Sequence, residues 1–200
     1  MVGPSWIYWK GHLDQDLFKR CGTDEDFSRQ VNGDFGMSEQ TKPTSNDIRT
    51  RISENIKIRK VQAIDENMWR RLYQEYAAFY KVPMNDSILN QTWNWLQDST
   101  HPLEGLVAEQ DKNVIGFAHF WPQIKPLQGQ YDGFLDDLFV DPLYRSGGVG
   151  RMLIQALSQI AKERGWGTLS WVTAQDNTTA RRLYDDMAVA THWVTYERII

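Results

Sequence analysis

Arg145-Ser-Gly-Gly-Val-Gly150 fits the pattern Arg-x-x-Gly-x-Gly and joins a strand-like run to a helix-like run. Leu135–Val140 before it contains apolar and β-branched residues, and from Arg151 to Arg164 apolar side chains recur at the spacing of an amphipathic helix. A glycine loop at this place exposes backbone N–H groups at a helix N-terminus, where the first amides lack intrahelical partners and the helix dipole attracts an anion. The stretch therefore predicts an anion site, for which a diphosphate is the natural ligand.

The loop alone does not identify the kind of site, since it could also be an ordinary strand-to-helix turn with no ligand. A P-loop needs a lysine directly after its last glycine, and Gly150 is followed by Arg151. A dinucleotide-binding loop follows the first strand of its unit and leads to an acidic residue about 20 residues further on. Here the loop comes late, and Thr168–Trp171 occupies that place. Both familiar nucleotide loops are therefore excluded.

The residues downstream of the loop indicate a particular family. A second strand is predicted at Thr168–Thr173, followed by a short helix over Asn177–Tyr184. Together with Leu135–Val140 and Arg145–Gly150, these pieces stand in the order and spacing of the GCN5-related N-acetyltransferase (GNAT) superfamily, which residues 56–200 closely resemble. Three further runs look most like the branch of diamine acetyltransferases and small fungal histone and polyamine acetyltransferases: Gly116–Phe120, Asp136–Pro142 and Leu183–Asp185.

The resemblance implies an α/β (α+β) fold, with a mixed, mostly antiparallel central sheet flanked by helices in the order β-α-α-β-β-β-α-β-α-β. The residues support that order through their periodicity. Asp65 is expected to cap the first helix, which Val82-Pro83 ends. The remaining predicted elements are a strand at Ile56–Val61, a helix at Asp86–Gln97, a hairpin of Gly105–Glu109 and Val114–Trp121, a loop over 122–130, a strand at Tyr131–Val140 and a closing strand at Trp193–Ile200.

Composition indicates a globular protein without a nucleic-acid or membrane partner. The 200 residues suit one domain, and 41% hydrophobic and 24% charged residues are ordinary for a soluble protein. A net charge of −4 argues against a nucleic-acid binder and suits a cationic acceptor. Cys21 is the single cysteine, which fits a reducing compartment, and no apolar run approaches a membrane span or a signal peptide. We expect a cytoplasmic protein, with entry into the nucleus left open.

Residues 1–55 stand apart from the resemblance. Gly22–Asn55 is polar, and Met37–Ser45 reads like a natural N-terminus. We predict an N-terminal extension over 1–55 that is partly disordered or added during cloning, with a substrate-gating arm as the alternative. The acetyltransferase domain is predicted over residues 56–200.

The resemblance assigns the acetyl-CoA site to three segments. The backbone amides of Arg145, Ser146, Gly147, Gly148, Val149 and Gly150 would hold the pyrophosphate, with charge from Arg145 and more weakly from Arg151. The backbone of Leu138, Phe139 and Val140 would pair with the pantetheine arm like an added strand, placing the Leu138 N–H or a neighbour near the thioester carbonyl. Asn177 would bind the pantetheine amide or cap its helix, and Ala180 is small where the cofactor passes.

Two residues are predicted to be catalytic. Tyr184 matches the family's tyrosine, seven residues after Asn177, and a phenol can protonate the departing CoA thiolate. Asp136 stands where the diamine branch carries a glutamate credited with deprotonating the acceptor; it is one methylene shorter, so a bridging water is plausible. On a strand Asp137 would point the other way. His119 is the alternative base, or a core histidine.

The expected reaction is direct transfer of acetyl from acetyl-CoA to a primary amine, either a polyamine or a lysine-bearing peptide. A free amino acid as acceptor and a non-catalytic acyl-CoA-binding module are the alternatives. No metal is expected, and relatives suggest a homodimer with the C-terminal strand at the interface. Candidate acceptor contacts are Tyr76, Tyr80, Trp93, Trp121 and Asp132.

Overall fold

The computed structural model describes residues 55–200. Its strands run over Lys57–Lys60 (β1), Glu104–Gln110 (β2), Asn113–Lys125 (β3), Gln130–Val140 (β4) and Leu169–Trp171 (β5). Its α-helices run over Glu66–Phe79 (α1), Asp86–Gln97 (α2), Val149–Glu163 (α3) and Thr178–Met187 (α4). None of the helices in this described part is both long and apolar enough to cross a membrane. The predicted extension over 1–55 lies almost wholly outside the described residues, and the domain boundary stays a prediction.

The five strands form one sheet in the order β1-β2-β3-β4-β5. All neighbours are antiparallel except β4 and β5, which run parallel. The predicted fold class, a mixed and mostly antiparallel sheet flanked by helices, is confirmed. The parallel pair is joined through α3, as a parallel connection requires a crossover.

Helices cover both faces of the sheet, so the protein has two core clusters. On one face α1 and α2 pack Trp69, Leu89 and Trp93 against Phe117 and Phe139. On the other face α3 packs Leu153, Ile154 and Leu157 against the sheet side chains Leu106, Ala118, Phe120 and Leu135. The apolar stripe predicted for 151–164 is therefore the face of α3 that the sheet covers.

A β-bulge at Asp136 changes which face the end of β4 presents. His119 pairs with Asp137 and Phe120 pairs with Leu135, so Asp136 has no opposite residue on β3. Without the bulge, residues 135, 137 and 139 would share one face. With it, Leu135 packs on the α3 side, whereas Phe139 lies in the α1 core and Asp137 contacts His119.

Several predicted boundaries need correction. β3 continues to Lys125, so the predicted loop over 122–130 shrinks to residues 126–129. Pro122 is tolerated within β3 because pairing with β2 ends at Phe120 and leaves that side of the strand open. Asp65 stands before α1 but does not cap it, since its carboxylate accepts from the Gln62 N–H and from Arg59 instead.

The closing strand predicted at Trp193–Ile200 is wrong. Residues 188–200 form no helix or strand, and Trp193, Val194 and Tyr196 are exposed. An alternating run becomes a strand only when a neighbour satisfies its backbone, and no described strand pairs with it. The alternation is also incomplete, because Trp193-Val194 and Ile199-Ile200 place apolar residues side by side.

Candidate active site

A cleft opens where β4 and β5 diverge. The two strands pair only from Gly133 to Leu135 on β4, and β5 ends at Trp171. The cleft has an empty volume of about 250 Å³ that is open to solvent. Its lining residues are Tyr76, Tyr80, Leu135, Asp136, Leu138, Trp171, Val172 and Tyr184. Side chains from α1, β4, β5 and α4 thus converge on one site.

The end of β4 presents an open backbone edge beside this cleft. Leu138, Phe139 and Val140 pair with Ala118, Phe117 and Gly116 of β3 on one side, while pairing with β5 has already ended. The Phe139 side chain is buried in the α1 core. Its backbone faces Phe117 of β3, because the Asp141 N–H donates to the Ile115 carbonyl and hydrogen-bonded pairs alternate along an antiparallel ladder. The backbones of Leu138 and Val140 therefore form the open side. An extended chain could add to such an edge through main-chain hydrogen bonds, which is the geometry predicted for the pantetheine arm.

The glycine loop leads directly into α3. Ser146 and Gly148 have φ values of 64° and 85°, in the left-handed region. Helix α3 begins at Val149, two residues earlier than predicted, with Gly148 as its N-cap and no side chain capping it. The first amides of α3 are therefore left for an anion to satisfy, as the sequence predicted for the pyrophosphate. Gly150 lies where α3 meets α4, since a Cβ there would stand 3.3 Å from Leu183.

We expect the left-handed loop conformation to show in the stability of Gly148 variants. Gly148→Ala meets no atom within 4 Å, so only backbone strain opposes it. That strain should lower the free energy of unfolding by about 1–2 kcal/mol in urea titrations. Gly148→Asn is the matched control and should lose less, because asparagine tolerates this conformation. Equal losses for both variants would show that strain at this φ is not the cause.

The two arginines predicted to contact the cofactor are held elsewhere in this structure. The Arg145 Nε donates to the Val140 carbonyl at 3.0 Å, and its guanidinium lies 5.2 Å from the Phe139 ring centroid. Arg151 forms an ion pair with Asp186 of α4. These contacts engage both guanidinium groups with protein partners. The predicted anion site therefore relies mainly on the backbone amides of the loop.

Tyr184 projects from α4 into the cleft. Its ring packs edge-on against Trp171, with centroids 5.4 Å apart. Burial, and then the nearby Tyr80, raises the pKa of Tyr184 to about 12. The hydroxyl is therefore protonated at neutral pH and able to donate, as a general acid must be.

Asn177 caps α4 and joins it to the cleft wall. Its Oδ1 accepts from the Ala180 N–H at 3.2 Å, and its Nδ2 donates to the Thr173 Oγ1 at 3.3 Å. Thr173 directly follows Val172, which lines the cleft. The predicted capping role is therefore present in the structure, and half-buried Ala180 stands on the first turn of the same helix.

The two carboxylates of β4 have different surroundings. Asp136 lines the cleft, whereas Asp137 accepts from His119 Nδ1 at 2.9 Å on the α1 side of the sheet. The Trp69 indole N–H donates to His119 Nε2 at 2.9 Å. His119 is buried, and both of its ring nitrogens are engaged. It cannot accept a proton without losing one of these bonds, which favours the core role over the catalytic one.

The predicted acceptor contacts divide into two groups. Tyr76 and Tyr80 line the cleft. Trp93 instead packs against Trp69 in the core with ring centroids 5.0 Å apart, and Trp121 packs on Phe134. Asp132 is buried and accepts from the Thr168 N–H and hydroxyl. None of these three is among the lining residues of the cleft. Within residues 55–200, no three His, Cys, Asp or Glu side chains are grouped to hold a metal.

The family model of the acetyltransferase (GNAT) family matches residues 69–188. This stretch holds the cleft, the glycine loop and α4. The chain belongs to the GNAT family. This GNAT protein is 31% identical over 149 residues to the D-amino-acid N-acetyltransferase HPA3 of Saccharomyces cerevisiae, covering 74% of this chain and 92% of that one.

Solved structures agree with the assignment. A ribosomal-protein-alanine N-acetyltransferase from Brucella melitensis biovar Abortus 2308 superposes with a TM-score of 0.64 at 28% identity, covering 72% of this chain and 99% of that one. An aminoglycoside N-acetyltransferase in complex with CoA has the same fold, with a TM-score of 0.61 at 23% identity over 72% of this chain and 98% of that one. This GNAT protein is an acyltransferase enzyme. Its relatives use different acceptors, so the family does not define the amine.

Proposed function

We propose that this GNAT acetyltransferase moves the acetyl group of acetyl-CoA directly to a small primary amine, either a polyamine or the lysine side chain of a peptide. The observation that carries the proposal is the chemistry of the cleft. Its described lining combines the Asp136 carboxylate with the hydroxyls of Tyr76, Tyr80 and Tyr184, and it includes no Lys, Arg or His. Amines of this kind arrive as ammonium ions at neutral pH, and such a lining attracts a cation.

The proposed cofactor site uses the backbone more than side chains. The amides of residues 145–150 would hold the pyrophosphate, and the open edge of β4 from Leu138 to Val140 would align the pantetheine arm. Tyr184 would then protonate the departing thiolate from the α4 side of the cleft. Asp136 would draw the ammonium group into the cleft beside it.

A free amino acid is the second candidate acceptor. It is favoured by the D-amino-acid N-acetyltransferase relative, which this chain matches over 92% of that protein's length. An amino acid carries a carboxylate, which needs a cationic partner that the described cleft lining does not provide. The chemistry of the cleft therefore favours a polyamine or a lysine side chain as acceptor, whereas the similarity to the D-amino-acid N-acetyltransferase favours an amino acid.

A thiol-release assay with acetyl-CoA tests the proposal. The acceptor panel would hold spermidine, spermine, a histone-tail lysine peptide, and matched D- and L-amino acids. We expect the highest kcat/KM with acceptors that carry a cationic amine away from any carboxylate. Turnover confined to one amino-acid enantiomer would instead establish the second candidate. No release above the no-acceptor baseline would contradict both.

We also propose a homodimer in which the partner protomer covers the C-terminal segment, residues 188–200. In one protomer its apolar side chains are largely exposed, with Trp193 82% and Tyr196 88% accessible. β5 lies at the edge of the sheet, where it could accept a further strand. Light scattering should give a dimer for the full chain and a monomer after deletion of residues 193–200. A monomer in both cases would contradict the proposal.

A further inference from the structure

Three polar side chains lie together beside the β-bulge of β4. Trp69 has an indole N–H that can only donate, and it donates to His119 Nε2 at 2.9 Å. Because Nε2 accepts, the ring hydrogen is on Nδ1, which donates to Asp137 Oδ2 at 2.9 Å. Trp69 and His119 are 0% and 1% exposed, and the Asp137 side chain is 14% exposed. The two hydrogen bonds therefore fix the orientation of the imidazole between its two partners.

The apolar residues of β4 require a bulge but do not determine its place. Leu135 is buried on the α3 side of the sheet and Phe139 on the α1 side, so one extra residue must lie between them. A bulge one residue later than the observed one would also leave both side chains buried. In that register Asp136 would stand opposite His119, and the next aspartate would be the extra residue. Burial thus leaves open which of the two aspartates meets the histidine.

The hydrogen bond from His119 distinguishes the two registers. The register shift falls between His119 and Phe120, which places Asp137 opposite His119 and its carboxylate within reach of Nδ1. The ring keeps this orientation because Trp69 engages its other nitrogen. A carboxylate on the α1 side of the sheet is costly to bury unless it is hydrogen-bonded. His119 therefore stabilises the register in which Asp136 is the extra residue.

The place of the bulge determines which carboxylate lines the cleft. With the observed bulge it is Asp136. A shift of one residue would move the charge by about 3.3 Å, the spacing of residues along a strand. A displacement of about 1 Å at a reacting group can already lower a rate about 100-fold. Leu138 and Val140 lie beyond the shift and would keep their pairing with β3, so the open edge of β4 would be unchanged.

We propose that Trp69 and His119 are positioning residues that hold the bulge at Asp136 and thereby place its carboxylate in the cleft for the acceptor. The inference rests on the proposed function, in which Asp136 attracts the acceptor ammonium. Asp137 connects the two, because it accepts from His119 and directly follows Asp136 on β4. Trp69 and His119 are not among the lining residues of the cleft, so they act through β4 and not on the substrate itself.

Two variants of His119 test the proposal by kinetics. His119→Leu removes both hydrogen bonds and should lower kcat/KM for the acceptor on the order of 100-fold. The acetyl-CoA Kd, measured by calorimetry, should stay within about twofold of wild type because the open edge of β4 is kept. His119→Gln should recover most of the loss, since its amide oxygen can accept from Trp69 and its amide nitrogen can donate to Asp137. Equal losses in the two variants would overturn the proposal.

A double-mutant cycle shows whether His119 acts through Asp136. Added to Asp136→Asn, His119→Leu should lower kcat/KM by less than about twofold more, because the carboxylate that it positions is already gone. Thr168→Val is the matched control, since it removes a hydroxyl that donates to the buried Asp132 on the same strand at 2.7 Å. Its effect should be the same in the wild type and in Asp136→Asn. A His119→Leu loss that is equally large in both backgrounds would contradict the positioning role.

Nuclear magnetic resonance measures the register without any acceptor. Cross-strand contacts between backbone protons should pair residue 119 with residue 137 in the wild type and in His119→Gln. In His119→Leu they should move, wholly or in part, to residues 119 and 136, with the circular dichroism of a folded protein. An unchanged register in folded His119→Leu would overturn the proposal.

Two further outcomes separate misfolding and the proposed function from the role of His119. If His119→Leu does not fold, Trp69→Phe takes its place, because it removes the indole N–H and keeps an aromatic ring in the core. The same shift of register is expected, to a smaller extent, and its absence would overturn the proposal. If the wild type transfers acetyl to no amine while the register shifts as expected, the proposed function fails and the hold of His119 on the bulge is supported.

Discussion

Tyr184→Phe should lower kcat by about 100-fold or more, the size of effect seen when a general acid is removed. The substitution deletes only the hydroxyl, and the phenyl ring can keep its edge-on contact with Trp171. Acetyl-CoA affinity should therefore change by less than about threefold, because the predicted phosphate and pantetheine contacts come from the loop and β4. Steady-state kinetics together with calorimetric titration of acetyl-CoA would measure both quantities.

The pH profile of the wild type gives a second check on Tyr184. Burial, and then Tyr80, raises its pKa to about 12, so the phenol remains protonated through the usual assay range. Activity should not decline from loss of this proton at pH values near 10, where an ordinary tyrosine would titrate. Tyr131→Phe is the matched control, since Tyr131 is exposed and away from the cleft. A kcat within threefold of wild type for Tyr184→Phe would exclude it as the proton donor.

Most of the helices and strands could be predicted from local sequence patterns, because each pattern depends only on residues that are close together in the chain. The helix predicted at Asp86–Gln97 has those bounds in the structure, where Asn85 caps it through the Ile88 N–H. The predicted hairpin is also present, since β2 and β3 pair antiparallel. The glycine loop was placed correctly between β4 and α3, since strand, loop and helix are consecutive.

The features that were missed depend on contacts between distant residues. The bulge at Asp136 arises from the register of β4 against β3, and nothing in the run Leu135–Val140 encodes that register by itself. It places Asp137 beside His119, a pair separated by 18 positions. The histidine on one strand and the two carboxylates on the next were visible as candidates, but only the register shows which carboxylate it meets.

The same limit applies to the tail and to the arginines. The alternation in Trp193–Ile200 predicts a strand, but a strand also needs a partner edge, which the sequence of one protomer does not specify. The presence of a guanidinium group does not determine which partner an arginine side chain binds in the folded protein. Arg145 folds back onto the Val140 carbonyl and Arg151 pairs with Asp186, and both partners are set by tertiary packing.

Arg59→Met should lower the free energy of unfolding by about 3–5 kcal/mol at neutral pH, as expected when a buried ion pair loses one partner. Arg59 holds Asp65 through two hydrogen bonds of 2.7 and 2.8 Å and also bonds Glu109. The Asp65 side chain is only 1% exposed. Without the guanidinium, its carboxylate keeps the Gln62 N–H but has no cation near it, so urea titrations should show the loss.

The loss should also depend on pH, with a definite sign. Burial disfavours ionised Asp65, but the hydrogen bonds from Arg59 and the Gln62 amide outweigh it and lower its pKa. A carboxyl with a lowered native pKa stabilises the fold above its unfolded pKa, near 3.9, and that stability is lost as the pH falls through the native value. In Arg59→Met burial acts without the guanidinium, so Asp65 takes up a proton at higher pH. The difference between variant and wild type should therefore shrink as the pH is lowered toward about 4.

Two controls identify the unpaired charge as the cause of the Arg59→Met loss. Arg70→Met breaks the more exposed ion pair with Glu66 on α1 and should cost less than about 1 kcal/mol. Asp65→Asn added to Arg59→Met removes the buried charge and should recover part of the lost stability at neutral pH, because a neutral amide is cheaper to bury than a carboxylate. If the double variant is no more stable than Arg59→Met, or if its deficit is the same at every pH as that of the single variant, the loss comes from the packing of the Arg59 side chain and not from Asp65.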